Sequence, residues 1–159
     1  EVFYQWRNEP YTLKFNPVVK RTLEEVRASL LEGPFVLAPL CENTNYRWFV
    51  ECDGEVVGTV SLSCVNAMMK FGEIGYMISE AHHGLGIATQ AVKLWTSLIF
   101  GNTDLRKLTA SAAKKNIASL RVLEKVGYAQ EGVLSEHFIV NGMPVDQVVF
   151  GMLRSNWHV

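Results

Sequence analysis

The stretch SEAHHGLGIATQAVKLW, residues 79–95, sets Gly84 and Gly86 immediately ahead of a helical pattern. Glycine gives up more backbone entropy on folding than other residues, so two of them at a helix entrance mark a tight turn or a place where a large anion lies against the main chain. The first amides of a helix have no intrahelical acceptor, and that end of the helix carries partial positive charge. Phosphate is therefore the chemistry that Gly84-Leu85-Gly86-Ile87-Ala88 would serve. Two familiar phosphate motifs do not fit. A dinucleotide fold needs GxGxxG, but position 89 is Thr, and Ser111 or Ala112 stands where the next strand should end on an acid. A P-loop needs Gly-Lys followed by Ser or Thr, which is missing here. His82-His83 lacks a third ligand at any metal-binding spacing, so no metal is expected. Spacing alone leaves the glycine turn as either structural or phosphate-binding.

The elements that would position this turn follow from periodicity and punctuation. Residues 1–8, EVFYQWRN, read as a short helix stopped by Pro10. TLEEVRASLLEG reads as a second, with Thr22 as N-cap, Glu25 completing a capping box, apolar positions 23, 26 and 30, and Gly33 as the stop. YRWFVECDGEVVGTVSLSCV is a hairpin around Asp53-Gly54, and FGEIGYMIS a third strand. Residues 86–100 place apolar side chains at 87, 88, 91, 92, 94, 95, 98 and 99, a stripe broad enough to require burial. RKLTASAA is a strand, and NIASLRVLEKVG a helix from its cap Asn116 to Gly127. The remainder makes two strands joined by Asn141-Gly142. Helix, helix, three strands, helix, strand, helix, two strands describes a single α/β (α+β) domain over residues 1–159. It implies a mixed sheet with helices on both faces and, at its centre, a strand-turn-helix-strand unit with a right-handed crossover.

Fifteen Lys and Arg against sixteen Asp and Glu give a net charge of −1, which argues against nucleic acid or an anionic membrane as main partner. Hydrophobic residues make up 48% of the chain, yet no apolar run reaches the length of a spanning helix and no leader is recognisable. A soluble, cytoplasmic protein is expected. Cys41, Cys52 and Cys64 match neither a disulfide framework nor a metal clip and read as reduced, buried thiols. The first residue is Glu and not Met, which leaves a trimmed or a renumbered chain open.

The glycine turn gains meaning from a second segment, NIASLRVLEKVGY, residues 116–128. Together the two resemble the GNAT superfamily of acyl-CoA-dependent N-acetyltransferases, in the branch similar to ribosomal-protein N-terminal acetyltransferases. Gly84 and Gly86 match the family's R/Q-x-x-G-x-G/A turn. Asn116, Ser119, Leu123, Glu124, Lys125, Gly127 and Tyr128 match its N-x-x-S-x-x-x-L-E-K-x-G-F/Y segment. The closing EGVLSEHFIVNGMPVDQVVFGML resembles the family's terminal hairpin, so the likeness covers residues 46–154; YQWRNEPYTLKFN is similar to the first helix of some members that acetylate amino-sugars. Three departures stand out. Ala81 replaces the usual Arg or Gln, Leu123 stands where many members carry a Tyr that protonates the leaving thiolate, and the family's first strand is not found ahead of the first helix.

The resemblance implies a mostly antiparallel sheet, acetyl-CoA as cofactor, and direct attack by an amine in a ternary complex. It implies that Met77, Ile78, His83, Gly84, Leu85, Gly86, Ile87, Ala88, Thr89, Asn116, Ser119 and Arg121 hold the coenzyme. The diphosphate would rest on amides 83–88, and an oxyanion would be held by a main-chain N–H within residues 73–78, where the strands splay. Gly75 marks a plausible splay point or bulge, with close packing as the plainer alternative. An entering ammonium must lose a proton, and Glu73 and Glu136 are the candidate bases, each otherwise a solvated strand residue. Ser119, one turn after Asn116, is the candidate water-assisted donor to sulfur. Asn116 is an anchor for the pantetheine or main chain, or simply a cap. Trp6, Arg7 and Tyr76 are candidates for the acceptor cleft, along with Asn8 and Trp48, although aromatic burial is the commoner fate. The expected acceptor is a protein N-terminus or a small-molecule amine such as an amino-sugar, polyamine or antibiotic, and the enzyme is expected to be a monomer or homodimer. The alternative is a non-catalytic acyl-CoA-binding sensor or interaction module.

Overall fold

A computed structural model describes residues 1–158 apart from positions 32, 35, 38 and 43. Three short helices come first: α1 (Val2–Arg7), α2 (Pro10–Phe15) and α3 (Leu23–Leu31). Strands β1 (Tyr46–Cys52), β2 (Glu55–Asn66) and β3 (Phe71–Ile78) follow, then α4 (Ile87–Asn102), β4 (Lys107–Ala113), α5 (Ile117–Val126), β5 (Ala129–Val140) and β6 (Met143–Leu153). The described residues form a six-stranded sheet in the order β1-β2-β3-β4-β6-β5, antiparallel at every pairing except β3 with β4.

Local chemistry accounts for most boundaries. Asp53 (φ 52°) and Gly54 (φ 80°) are both left-handed, as are Asn141 (φ 51°) and Gly142 (φ 76°), which is what a two-residue hairpin with the twist of its flanking strands requires. The capping box of α3 is formed: the Thr22 amide donates to Glu25 Oε2 at 2.7 Å and the Glu25 amide to Thr22 Oγ1 at 3.2 Å. The far end of that helix adjoins position 32, outside the described residues, so the stop expected at Gly33 is not defined. Helix α5 ends in a Schellman-type closure, with Gly127 at φ 100° and the amides of Gly127 and Tyr128 both reaching the Leu123 carbonyl.

Pro10 does more than the sequence reading allowed. It ends α1, which breaks after Arg7, and as the first residue of α2 it supplies a preset φ where a helix has no use for an N–H. The second short helix was missed because proline was read only as a stop.

One sheet face carries the main core, in which Trp95 and Ile99 of α4 and Leu123 of α5 close over Leu62, Ile74, Leu108 and Phe150. The opposite face is covered by a smaller cluster of Phe3, Trp6 and Val26 from α1 and α3, with Met77 of β3 beneath it. Helices thus lie on both faces, as the pattern required. The thiols differ from expectation: Cys41 and Cys64 are exposed, Cys52 is half-buried, and all three are free. Cys64 (φ 49°) falls in an irregularity of β2 between Ser63 and Asn66, which turns it out of the core alternation. No helix among the described residues is long and apolar enough to cross a membrane.

Candidate active site

The glycine turn lies where β3 hands over to α4. A single 3₁₀ turn, Glu80–His82, leads through His83 to Gly84 and Gly86, each at φ 79°, a conformation that side chains with a β-carbon adopt only at a cost. A β-carbon added at either glycine would meet nothing within 4 Å, so backbone conformation and not crowding demands glycine there. Gly86 is the N-cap of α4 and gives it no side-chain cap. The first helical hydrogen bond runs from the Gln90 amide to the Gly86 carbonyl, and among the described residues the amides of positions 84–89 have no acceptor. Six consecutive free donors at the positive end of a 16-residue helix, open to solvent, have the chemistry that suits an anion. His83 is not part of this run. Its amide donates to the Glu80 carbonyl at 3.1 Å and its Nε2 lies 2.8 Å from the Ile78 carbonyl, so the run begins one residue later than the spacing implied.

Beside the turn the sheet opens. Strands β3 and β4 pair only at Phe71 with Lys107, Gly72 with Leu108 and Glu73 with Thr109. Beyond Glu73, residues 74–78 keep their β2 partners and residues 110–113 their β6 partners, but nothing joins the two facing edges. Exposed strand edges bind extended ligands through main-chain hydrogen bonds. The divergence starts one residue before Gly75, and the register from Gly58 through Ser63 passes it without a bulge. A β-carbon on Gly75 would stand 2.7 Å from Ser61 Oγ, so close packing against β2 explains this glycine and the splay-point reading does not.

Glu73 sits at the last paired position, half-buried, with Oε1 accepting from the Ser111 hydroxyl at 2.7 Å. That bond ties β3 to β4 just where they part and turns a carboxylate toward the opening. On the other face, Ser119 Oγ is 2.7 Å from the Tyr76 hydroxyl, which also donates to the Ser119 carbonyl at 3.0 Å. Burial pushes the Tyr76 phenol up to about 12, against the opposing bond from Ser119, so it is held as a proton donor. Tyr76 was expected in the acceptor cleft; it packs against the main core on the α5 side. Asn116 caps α5, Oδ1 accepting from the Ser119 amide at 3.2 Å, and the same oxygen accepts from the Tyr11 hydroxyl at 2.6 Å. Two bonds fill the oxygen's lone pairs, which leaves only the Nδ2 donors for any ligand.

Tyr11 escaped the sequence reading. It reaches Asn116 from α2, its ring is edge-on to His83 at 4.7 Å, and its amide is bonded to the Glu80 carboxylate, so it ties α2 across the open end of the splay. Burial, and secondarily the charge of Glu80, raise its phenol above the usual value. The only sequence signal was an aromatic pair, Tyr11 and Phe15, at helical spacing.

Several candidates lie elsewhere. Glu136 is exposed on β5, three strand positions from β3, at φ 49° in an irregularity between Leu134 and Phe138; its amide donates to Asp146 and its carboxylate does not meet the splay. Trp6 is 6% exposed within the smaller cluster and lines no open surface. Trp48 packs against Trp95 with the rings tilted and their centroids 5.0 Å apart, while Asn8 folds back on the Tyr4 carbonyl. Arg7 faces a different cavity, described below. Arg121 is exposed on α5, free to turn toward a ligand, and Lys114 is paired with Asp146 at 3.0 Å.

Residues 1–129 match the sequence family described as the acetyltransferase (GNAT) domain. Spermidine N(1)-acetyltransferase of Escherichia coli (strain K12) is 35% identical over 101 residues, 64% of this chain and 54% of that protein. The Bacillus subtilis (strain 168) protein YdaF, named as a candidate ribosomal N-acetyltransferase, is 32% identical over 105 residues, 66% of this chain and 57% of its own. The chain thus spans little more than half the length of these relatives. The crystal structure of spermidine N-acetyltransferase from Vibrio cholerae in complex with CoA and spermine superposes with a TM-score of 0.80 over 98% of this chain and 89% of that one, at 22% identity, a likeness of fold. With the glycine turn, the splayed strands and a domain match over most of its length, the chain belongs to the GNAT acetyltransferase family.

Proposed function

We propose that residues 1–159 form one acetyl-CoA-dependent N-acetyltransferase domain that moves an acetyl group to a primary amine by direct attack in a ternary complex. The observation that carries this reading is the run of six acceptor-less amides, 84–89, beside the unpaired edges of β3 and β4. The amides fit a diphosphate, and the two edges fit an extended amide-bearing arm. The coenzyme, when bound, supplies the acetyl thioester. The amides of Gly84, Leu85, Gly86, Ile87, Ala88 and Thr89 seat its phosphates, with Arg121 as an outer contact. Met77 turns its main chain toward β2, so Ile78 offers its N–H to the arm, and Asn116 offers Nδ2. Glu73, at the mouth of the splay, takes a proton from the incoming ammonium. Ser119, backed by the Tyr76 phenol, returns a proton on the opposite side of the cleft. The Tyr76 hydroxyl thereby fills the role that Leu123, fully buried in the core, leaves empty.

The acceptor is a protein N-terminus or a small amine; the names of the two relatives span both classes. Free thiols and the domain class fit a cytoplasmic enzyme. A second reading, an acyl-CoA-binding module without turnover, is favoured by one observation: Tyr11 already occupies the Asn116 oxygen across the cleft. Thiol release from acetyl-CoA over a panel of polyamines, amino-sugars and peptide N-termini separates the two, with Glu73→Gln and Ser119→Ala beside the parent. Turnover that falls in both variants supports the transferase, and binding with no turnover for any amine supports the module.

A further inference from the structure

On the sheet face that carries Glu73, but at the β1 edge, lies a cavity of about 550 Å³ framed by α1, α3 and β1. Arg7, Arg21 and Arg47 all line it, and no carboxylate does among the described residues. None of the three takes part in a described ion pair. Glu1, the acid at the start of α1, is engaged by Arg27 at 3.1 Å, outside the cavity. Arg7 spends one N–H on the Val19 carbonyl at 3.1 Å. Arg47 makes no described hydrogen bond; it is half-buried with its guanidinium 4.7 Å from the centre of the Phe3 ring.

Guanidinium groups brought together without an acid repel one another, and partial burial strengthens the repulsion. The cost is visible on Arg7 and Arg47, whose affinity for their protons is lowered first by burial and then by the neighbouring arginines. Proteins hold such clusters where a ligand supplies the missing charge, and the planar fork of arginine matches carboxylate and phosphate oxygens two at a time. The volume lies within the range of small-molecule sites.

We infer that this cavity is a binding site for a small polyanion, a molecule bearing two or more phosphate or carboxylate groups, held by Arg7, Arg21 and Arg47. It is separate from the glycine turn, and its sign of charge excludes a polyamine as occupant. The inference does not depend on acetyl transfer, and its test needs no turnover.

Thermal unfolding and calorimetric titration of the full chain with sodium pyrophosphate, with citrate, and with spermine at matched ionic strength provide that test. Pyrophosphate or citrate should raise Tm by about 3–6 °C once roughly tenfold above its Kd, and spermine should not. The stronger of the two anions identifies phosphate or carboxylate as the natural group. In Arg47→Met, relief of repulsion should leave the ligand-free protein at least as stable as the parent, the citrate response should vanish, and the pyrophosphate response should fall to the part the glycine turn supplies. Arg21→Met, at an exposed position, should weaken binding at least tenfold. A citrate response that persists undiminished in both variants, or a pyrophosphate response that neither variant lowers, would overturn the assignment. So would a parent that responds to neither anion, or an Arg47→Met protein that unfolds at lower temperature because an acid had been paired with that arginine.

Discussion

Replacing Gly86 with alanine separates a turn that is merely structural from one that holds phosphate. Gly86 lies at φ 79°, ψ −2°, where an L-residue costs about 1–2 kcal/mol. A β-carbon there meets no atom within 4 Å, so conformational strain is the whole penalty. For a domain of 159 residues about 1 kcal/mol corresponds to roughly 2–4 °C, and Tm should fall by about 2–8 °C. The effect on the coenzyme should be larger in proportion. Relaxing φ toward negative values rotates the neighbouring peptide and takes at least one of the six amides out of line. One hydrogen bond to a charged oxygen is worth about 1.5–3 kcal/mol, so Kd for CoA should rise by about 10- to 150-fold. Thermal unfolding without ligand gives the first number and isothermal titration with CoA the second. If Tm falls as expected while Kd stays within twofold of the parent, the amides of this turn do not seat the diphosphate and the argument for the site fails.

Asn116→Ala removes the α5 cap, about 1 kcal/mol, and leaves the Tyr11 hydroxyl without its acceptor, about 1 kcal/mol more, so Tm should drop by about 4–8 °C; Asn116→Asp, which still accepts both bonds, should lose little. Glu73→Gln should lower kcat/KM for the best amine by about 10²- to 10⁴-fold with CoA affinity unchanged, and retention of full rate would remove Glu73 from the chemistry. Alkaline pH should destabilise the fold. Burial holds the Tyr76 phenol up to about 12 and Tyr128 higher still, so the unfolded chain releases these protons first. Stability is then complete below pH 10 and is lost as pH rises toward 12, by about 1.4 kcal/mol per unit for each phenol; a Tm flat across that window, followed beside phenolate absorbance, would contradict this.

What the sequence disclosed was governed by neighbours along the chain. Asp53-Gly54 and Asn141-Gly142 announce their hairpins because two left-handed residues in succession suit few other side-chain pairs, and Asn116 and Gly127 bracket α5 through bonds spanning three to five residues. The run of unbonded amides at the glycine turn was legible for the same reason, although it begins after His83. Contacts between distant segments were not. The Tyr11 bond to Asn116 joins positions 105 apart, and no local pattern forecasts it. Glu136 resembled a candidate base by residue type, but strand order sets β5 at the sheet edge, three positions from β3. The exposure of Cys64 likewise depends on a break in strand register that periodicity does not encode.

The three-rung join between β3 and β4 has a mechanical corollary. It divides the sheet into two halves, β1–β3 and β4–β6, joined along their facing edges by that short seam and beneath α4 and α5 by one shared core. A ligand bonded to both free margins acts as the absent rung, so occupancy should suppress amide exchange on both sides of the gap together.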